Sequence, residues 1–164
     1  MKTIIRKLML AASLAMLGWH RSAPAAGVQF ANIGEGINET GVRSYLPDAT
    51  TSSRYLLYKA GTDGDHCAIT GAGDTPLGSS DDQADSTTTP IALNLFGAVR
   101  GTVRVVTDGT VSNTNRVKCG ASGKVTAAST TDVSFGIAII GTDMTSADGD
   151  VITIIPMVPQ KYVF

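Results

Sequence analysis

Residues 94–156 constrain the fold most, because short apolar runs alternate there with glycine-rich turns. At the centre of this stretch, residues 116–127 form two such runs around a Gly-Ala-Ser-Gly turn. Alternate apolar side chains of the two runs fall on one face, namely Val117, Cys119, Val125 and Ala127. A period of two is typical of half-buried β-strands, and glycine supplies the positive φ values that a tight connection requires. The stretch therefore predicts a β-hairpin within a larger sheet.

Further strands are predicted at short intervals along the chain. They cover residues 54–60, 66–70, 91–95, 98–107, 133–140 and 151–155. The run 133–140 is largely apolar, which predicts burial on both faces. Pro156 is expected to end the last strand, because proline cannot donate to a β-ladder. Since no long helical periodicity follows His20, the sequence predicts an all-β fold, a small β-sandwich or barrel-like domain.

Residues 71–89 are small and polar and are predicted to form an exposed loop. Three carboxylates of this loop, Asp81, Asp82 and Asp85, are expected to be solvated rather than catalytic.

The first 26 residues of the 164-residue chain are typical of an export signal. A basic start precedes an apolar run at residues 8–17 and a small-residue region at residues 23–26. The run is shorter than the roughly 20 residues that a membrane-spanning helix needs, so no membrane anchor is expected. Three interpretations remain: a cleaved signal, a retained segment that docks on a partner as a short helix, or a true start at Met16.

The other two predicted regions are an arm and a domain. Residues 27–53 lack clear periodicity and indicate either an extended arm lying on this domain or a neighbour, or a linker without fixed structure. Residues 54–164 form the β-rich domain, and its apolar tail is expected to dock. Candidate partner contacts lie in the arm and the tail, namely Phe30, Ile33, Tyr45, Tyr162 and Phe164.

Composition and motifs argue for binding rather than catalysis. The formal net charge is −1 and only 16% of residues are charged, which disfavours a nucleic-acid partner and suits a protein that works in an assembly. His20 and His66 are the two histidines, and no GxSxG elbow occurs. We therefore expect no enzyme activity, no catalytic residue and no cofactor.

Metal binding is also not expected. The acidic turn at residues 61–65 lacks the spacing of an EF-hand loop. The neighbours His66 and Cys67 would point to opposite faces of a strand, which makes them a poor pair of ligands. Cys67 and Cys119 are interpreted as two half-buried thiols, with one disulfide as the alternative.

Short motifs follow one another in a characteristic order in the predicted domain. They are Lys59-Ala60-Gly61, Gly97-Ala98-Val99-Arg100-Gly101, Asp108-Gly109, the hairpin 117–125, Phe135-Gly136-Ile137-Ala138 and Asp148-Gly149-Asp150-Val151-Ile152. This order resembles the small capsid decoration, or cement, proteins of tailed bacteriophages. In the hairpin, Ser122 stands where the family pattern has Asp.

The resemblance implies a structural protein on the virion capsid surface. Such proteins bind the major capsid protein on the outside of the expanded shell, often as homotrimers, and stabilise it. From the charge balance and the short apolar run we expect no nucleic-acid partner and no membrane partner. The signal-like residues 1–26 support an alternative, an exported bacterial β-domain that acts as a periplasmic or surface binding module.

Overall fold

The computed structural model describes residues 40–142 and 144–161, and in this part of the chain the fold is all-β, as predicted. The strands are β1 (Val42–Pro47), β2 (Leu57–Ala60), β3 (His66–Ile69), β4 (Gly78–Ser80), β5 (Ile91–Leu95), β6 (Val103–Val106), β7 (Arg116–Cys119), β8 (Val125–Ala127), β9 (Val133–Ile139) and β10 (Val151–Lys161). A single 3₁₀ turn among these residues, Ala121–Gly123, joins β7 to β8.

The first five strands close into a barrel in the order β1-β3-β2-β4-β5. β1 pairs antiparallel with β5 and parallel with β3, where Leu46 lies opposite His66. Alternate side chains point inward, and the barrel core consists of Tyr45, Leu56, Tyr58, Cys67, Ala84, Ile91 and Leu93. Burial of this apolar surface is the main driving force for closure.

The last five strands form a second sheet in the order β6-β10-β9-β7-β8. One face of this sheet is sealed by a second core, in which Phe96 and Phe135 stack with ring centroids 4.9 Å apart. Leu57 of β2 belongs to this core, while Val106 of β6 packs against the barrel core. The barrel and the sheet are therefore packed on each other through shared side chains.

The predicted hairpin is confirmed. Cys119 lies opposite Val125, and the connecting turn takes positive φ at Ser122 (53°) and Gly123 (75°). The backbone N–H of Gly123 donates to the carbonyl of Thr70, which ties the turn to the end of β3. Alternation is a local signal and sufficed to predict this element. Of the two glycines predicted to supply positive φ, Gly123 does so, whereas Gly120 is extended with a φ of −91° and Ser122 takes the second positive φ.

Pro156 does not end the last strand, contrary to the prediction. β10 continues to Lys161, and Pro156 lies opposite Gly136 of β9. Pairing of β10 with β6 reaches only as far as Ile154. Pro156 lies beyond it, so its lack of an N–H costs no hydrogen bond to β6. The register then shifts between Pro156 and Gln160, an irregularity that also tolerates proline.

Several other predictions need correction. Residues 42–47, placed in an arm, form β1 of the barrel, and residues 78–80, placed in a loop, form buried β4. The strands predicted at 54–60 and 98–107 are shorter, and β9 is not buried on both faces, since Ile139 is exposed. Ile91–Leu95 has the predicted bounds, and Asp81, Asp82 and Asp85 are exposed as expected.

Several predictions concern residues outside the described part of the chain. They are the signal-like residues 1–26 and the contacts Phe30, Ile33, Tyr162 and Phe164. Within residues 40–142 and 144–161, no helix has the length and apolar character that crossing a membrane requires.

Candidate interaction surface

Tyr45 is the one predicted contact residue that the structure describes, and it belongs to the barrel core. Its side chain is only 6% exposed, and the guanidinium of Arg43 lies 4.9 Å from its ring centroid. A side chain so enclosed offers almost no surface to a partner. Tyr45 is therefore corrected from a contact residue to a core residue.

An exposed apolar surface lies instead on the five-stranded sheet. Across β9 and β10, Ile154 faces Ala138 and both are buried, whereas Thr153 faces Ile139 and Ile155 faces Ile137. Directly opposed residues share a face of a sheet, so these two pairs lie on the side away from the second core, to which Ile154 and Ala138 belong. We call Ile137, Ile139, Val151, Thr153 and Ile155 the open face.

The open face exposes large aliphatic side chains. Val151 is 50% exposed, Ile155 46% and Ile139 44%. Single exposed apolar residues are common on soluble proteins, whereas a group of them on neighbouring strands indicates an interaction site. The open face is therefore the candidate functional site.

Cationic side chains flank the open face on both sides. On β6, Arg104 lies opposite Thr153, and on β7, Arg116 lies opposite Ile137. The alternation along β7 places Lys118 on the same face, where its Nζ forms an ion pair with Asp132 (2.8 Å). No Asp or Glu occupies a position of this face in the described strands of the sheet.

Arg104 is held in place by an aromatic ring. Its guanidinium carbon lies 5.2 Å from the ring centroid of Tyr55, and its NH1 donates to the Tyr55 hydroxyl (3.1 Å). A cation over an aromatic face is attracted to the ring without losing its charge. Arg104 is thus oriented and still charged at the border of the open face.

Sequence reasoning missed the open face for an identifiable reason. Residues 151–155 are Val-Ile-Thr-Ile-Ile, so apolar residues occupy both alternate sets. Periodicity cannot tell the buried Ile152 and Ile154 from the exposed Val151 and Ile155. The polar Thr153 was the one local signal that its set faces outward.

The titratable side chains near the barrel serve structural contacts. His66 Nδ1 lies 2.9 Å from Asp48 Oδ1, and its Nε2 lies 3.9 Å from Asp63 Oδ2. Desolvation alone would raise the pKa of Asp48, but hydrogen bonds from His66 and Thr62 outweigh it and lower the pKa below 3.8. Among the described residues, no group of three His, Cys, Asp or Glu side chains could hold a metal ion.

The two cysteines are free thiols, each in a different core. Cys67 is fully buried and Cys119 is 1% exposed. Burial raises the pKa of Cys67 to about 12 and that of Cys119 to about 11. Since the thiolate is the reactive form, neither cysteine is suited to act as a nucleophile.

Comparison with known proteins identifies a solved structure with a similar fold. No family model matches the chain, and no curated protein matches it. The structure is similar to the head fibre gp8.5 N base of bacteriophage phi29, known from a crystal structure, with a TM-score of 0.55. The similarity covers 73% of this chain and 95% of that chain at 13% sequence identity. At this identity the comparison establishes that the two chains share a fold. The phi29 protein is the base of a head fibre.

Proposed function

We propose that this protein is a structural component of a phage virion. It decorates the outer surface of the capsid, binds the major capsid protein there, and acts as a homotrimer that stabilises the shell. The observation that supports this most is the open face, an exposed apolar surface on an all-β module. The fold similarity to a phage head fibre base and the resemblance of the motifs to decoration proteins point the same way.

The open face suits a role in adhesion. Burying apolar surface contributes about 25 cal/mol per Å² removed from water. A partner that covers the half-exposed side chains of Val151, Ile139 and Ile155 therefore forms a more stable complex. A protein that binds the mature shell alone stabilises it by mass action. When many copies bind one particle, their modest individual contacts sum to a large total binding free energy.

The protein acts without catalysis in this proposal. His66, the one histidine among the described residues, is held against Asp48 in a structural contact. The cysteine thiols are buried with raised pKa values. A nucleophile and a base within reach of each other are the usual requirement for covalent catalysis.

Co-sedimentation tests the proposal. Virions of the phage that encodes the chain are purified through a density gradient, and peptides of this protein are quantified against those of the major capsid protein. We expect a fixed ratio across the virion peak that survives a second gradient. Absence from the peak would contradict the proposal. If the protein were instead found in a periplasmic fraction, with an intact mass that corresponds to a chain starting near Gly27, the exported β-domain would be supported.

A further inference from the structure

A surface cavity flanks the open face on the β6 side. Its volume is about 380 Å³, and its charged lining residues are Arg100, Arg104 and Asp81. Tyr55 holds Arg104, and Asp81 accepts a hydrogen bond from Asn94 at 3.4 Å. Among the described residues, no carboxylate forms an ion pair with either arginine. Two arginines and one aspartate leave this cavity, which we call the arginine border, with one excess positive charge.

A second surface cavity flanks the open face on the β7 side, and we call it the aspartate border. Its volume is about 370 Å³, and its charged lining residues are Lys118, Asp74, Asp108 and Asp132. Asp132 is paired with Lys118 at 2.8 Å. Asp74 is paired with Lys59 at 2.7 Å. Since these two pairs cancel their charges, Asp108 decides the net charge of this border.

Asp108 forms no ion pair with a described residue. Its Oδ2 accepts a hydrogen bond from the backbone N–H of Ala121 at 2.8 Å. Lys124 interacts with Asp108 electrostatically, but its Nζ is paired with Asp148 at 2.7 Å. Asp108 therefore gives the aspartate border one excess negative charge.

The two borders are complementary in charge. In a ring of copies, one border of each copy meets the other border of the next copy, which is a heterologous contact. An excess positive charge then faces an excess negative charge at every contact, and complementary potentials of this kind fix which surfaces meet. A contact that brought two arginine borders together would instead place like charges across the interface.

The aliphatic centre of the open face lies between the two borders. Val151 and Ile155 on β10 and Ile139 on β9 are each about half exposed. Exposed ion pairs contribute little to affinity, whereas apolar area removed from water stabilises a contact in proportion to its size. The centre therefore supplies the affinity of a contact, and the borders supply its selectivity.

We propose that the open face binds a second copy of this chain, with the arginine border of one copy against the aspartate border of the next. This rests on the homotrimer of the proposed function and adds the surface through which its copies meet. Arg100 and Asp108 carry the opposite charges that face each other across each contact. The open faces are turned inward, which leaves the other surfaces of the trimer for the capsid protein.

Sedimentation velocity of the full purified chain, over a series of concentrations, tests the inference without capsids. Ile155→Asp places a charge in the aliphatic centre, and Ile155→Val is its conservative control. Arg100→Glu and Asp108→Lys each reverse the charge of one border, and a chain with both substitutions restores opposite signs across the contact. Arg54→Glu makes the same charge change as Arg100→Glu at an exposed arginine outside the open face.

The wild-type chain should form trimers. Ile155→Asp, Arg100→Glu and Asp108→Lys should each weaken association about tenfold or more. The double variant Arg100→Glu/Asp108→Lys should recover to within about threefold of wild type, because opposite charges face each other again. Ile155→Val and Arg54→Glu should also stay within about threefold of wild type.

Urea midpoints show whether each variant is folded. Ile155 and Arg100 are exposed, so their substitutions should leave the midpoint unchanged. If Asp108→Lys lowers the midpoint, Asp108→Asn takes its place, since its amide oxygen still accepts the N–H of Ala121. Asp108→Asn removes the charge alone and should weaken association about threefold or more.

The outcomes separate the two proposals. A wild-type chain that stays monomeric at every concentration overturns this inference, and capsid binding is then judged by co-sedimentation. Equal association of wild type and the single charge reversals also overturns it, as does a double variant that associates no better than the single ones. A trimer that responds as expected but is absent from purified virions leaves the inference standing and overturns the proposed function.

Discussion

His66 hydrogen-bonds to Asp48 at the point where the barrel closes, with 2.9 Å between Nδ1 and Oδ1. Beside this contact, β1 and β3 run parallel and are paired at two residue positions. The backbone N–H of Asp48 donates to the carbonyl of Cys67. The Asp48 carboxylate also accepts two hydrogen bonds from Thr62, at 3.0 Å each. One carboxylate therefore connects the end of β1 with the turn between β2 and β3.

This contact predicts a loss of stability in acid. The pKa of Asp48 is lower in the folded chain than its usual 3.8, so the unfolded state takes up the proton first. The contribution is present above about pH 4 and is lost as the pH falls through the lower folded value. We expect Asp48→Asn to cost about 1–2 kcal/mol at pH 7.

Urea unfolding as a function of pH checks this. Below about pH 4 the wild type should lose stability more steeply than Asp48→Asn as the pH falls. Asp85→Asn, at an exposed loop position, serves as the control and should keep the wild-type slope. Parallel curves for wild type and Asp48→Asn would contradict the prediction.

Neighbouring isoleucines on β10 should differ sharply in their effect on stability. Ile154 is fully buried, while Ile155 is 46% exposed on the open face. Ile154→Ala should lower the free energy of unfolding by about 2–5 kcal/mol, since it leaves a cavity in a packed core. Ile155→Ala should cost less than about 1 kcal/mol. Denaturant unfolding measures both, and equal losses would mean that the assigned faces of β10 are wrong.

Gly123 should tolerate no side chain. It has a φ of 75°, and an added Cβ would lie 2.9 Å from a methyl carbon of Ile69 and 3.1 Å from the Cβ of Leu56. Gly123→Ala should therefore destabilise the chain by about 1–3 kcal/mol. Gly64 has open space around it and no positive φ, so Gly64→Ala should be neutral or slightly stabilising. Thermal melts of the two variants check the difference, and a neutral Gly123→Ala would refute it.

Both thiols should resist alkylation in the folded chain. Burial raises the pKa of Cys67 to about 12 and of Cys119 to about 11, so little thiolate exists at pH 8. Iodoacetamide should leave the native protein unmodified and add two groups in urea, as read by intact mass. Rapid modification under native conditions would contradict the burial. A mass lower by two hydrogen atoms that reduction restores would reveal a disulfide.

The sequence predicted those elements whose signals are local. Residues 116–127 combine a period of two with a glycine turn, and they form β7 and β8 as expected. The predicted exposure of Asp81, Asp82 and Asp85 is also a matter of local composition, and these three residues are exposed. Each of these predictions needed information from only a few neighbouring residues.

The elements that were missed depend on distant partners. β1 has a mixed composition, Val-Arg-Ser-Tyr-Leu-Pro, and is defined by pairing with β5 and β3 far along the chain. Pro156 is accommodated because β6 ends before it, which no local pattern reveals. The open face was missed because both alternate sets of residues 151–155 contain apolar side chains. These features depend on pairing between strands that are distant in sequence, so the local periodicity of the sequence could not predict them.

Electron cryomicroscopy of purified virions tests the central claim most directly. We predict repeated density on the outside of the shell into which the five-stranded barrel and the five-stranded sheet fit, with the open face of the sheet turned toward a neighbouring copy. The same density should be missing from particles of the deletion mutant and return on add-back. Identical shells with and without the gene would contradict the account.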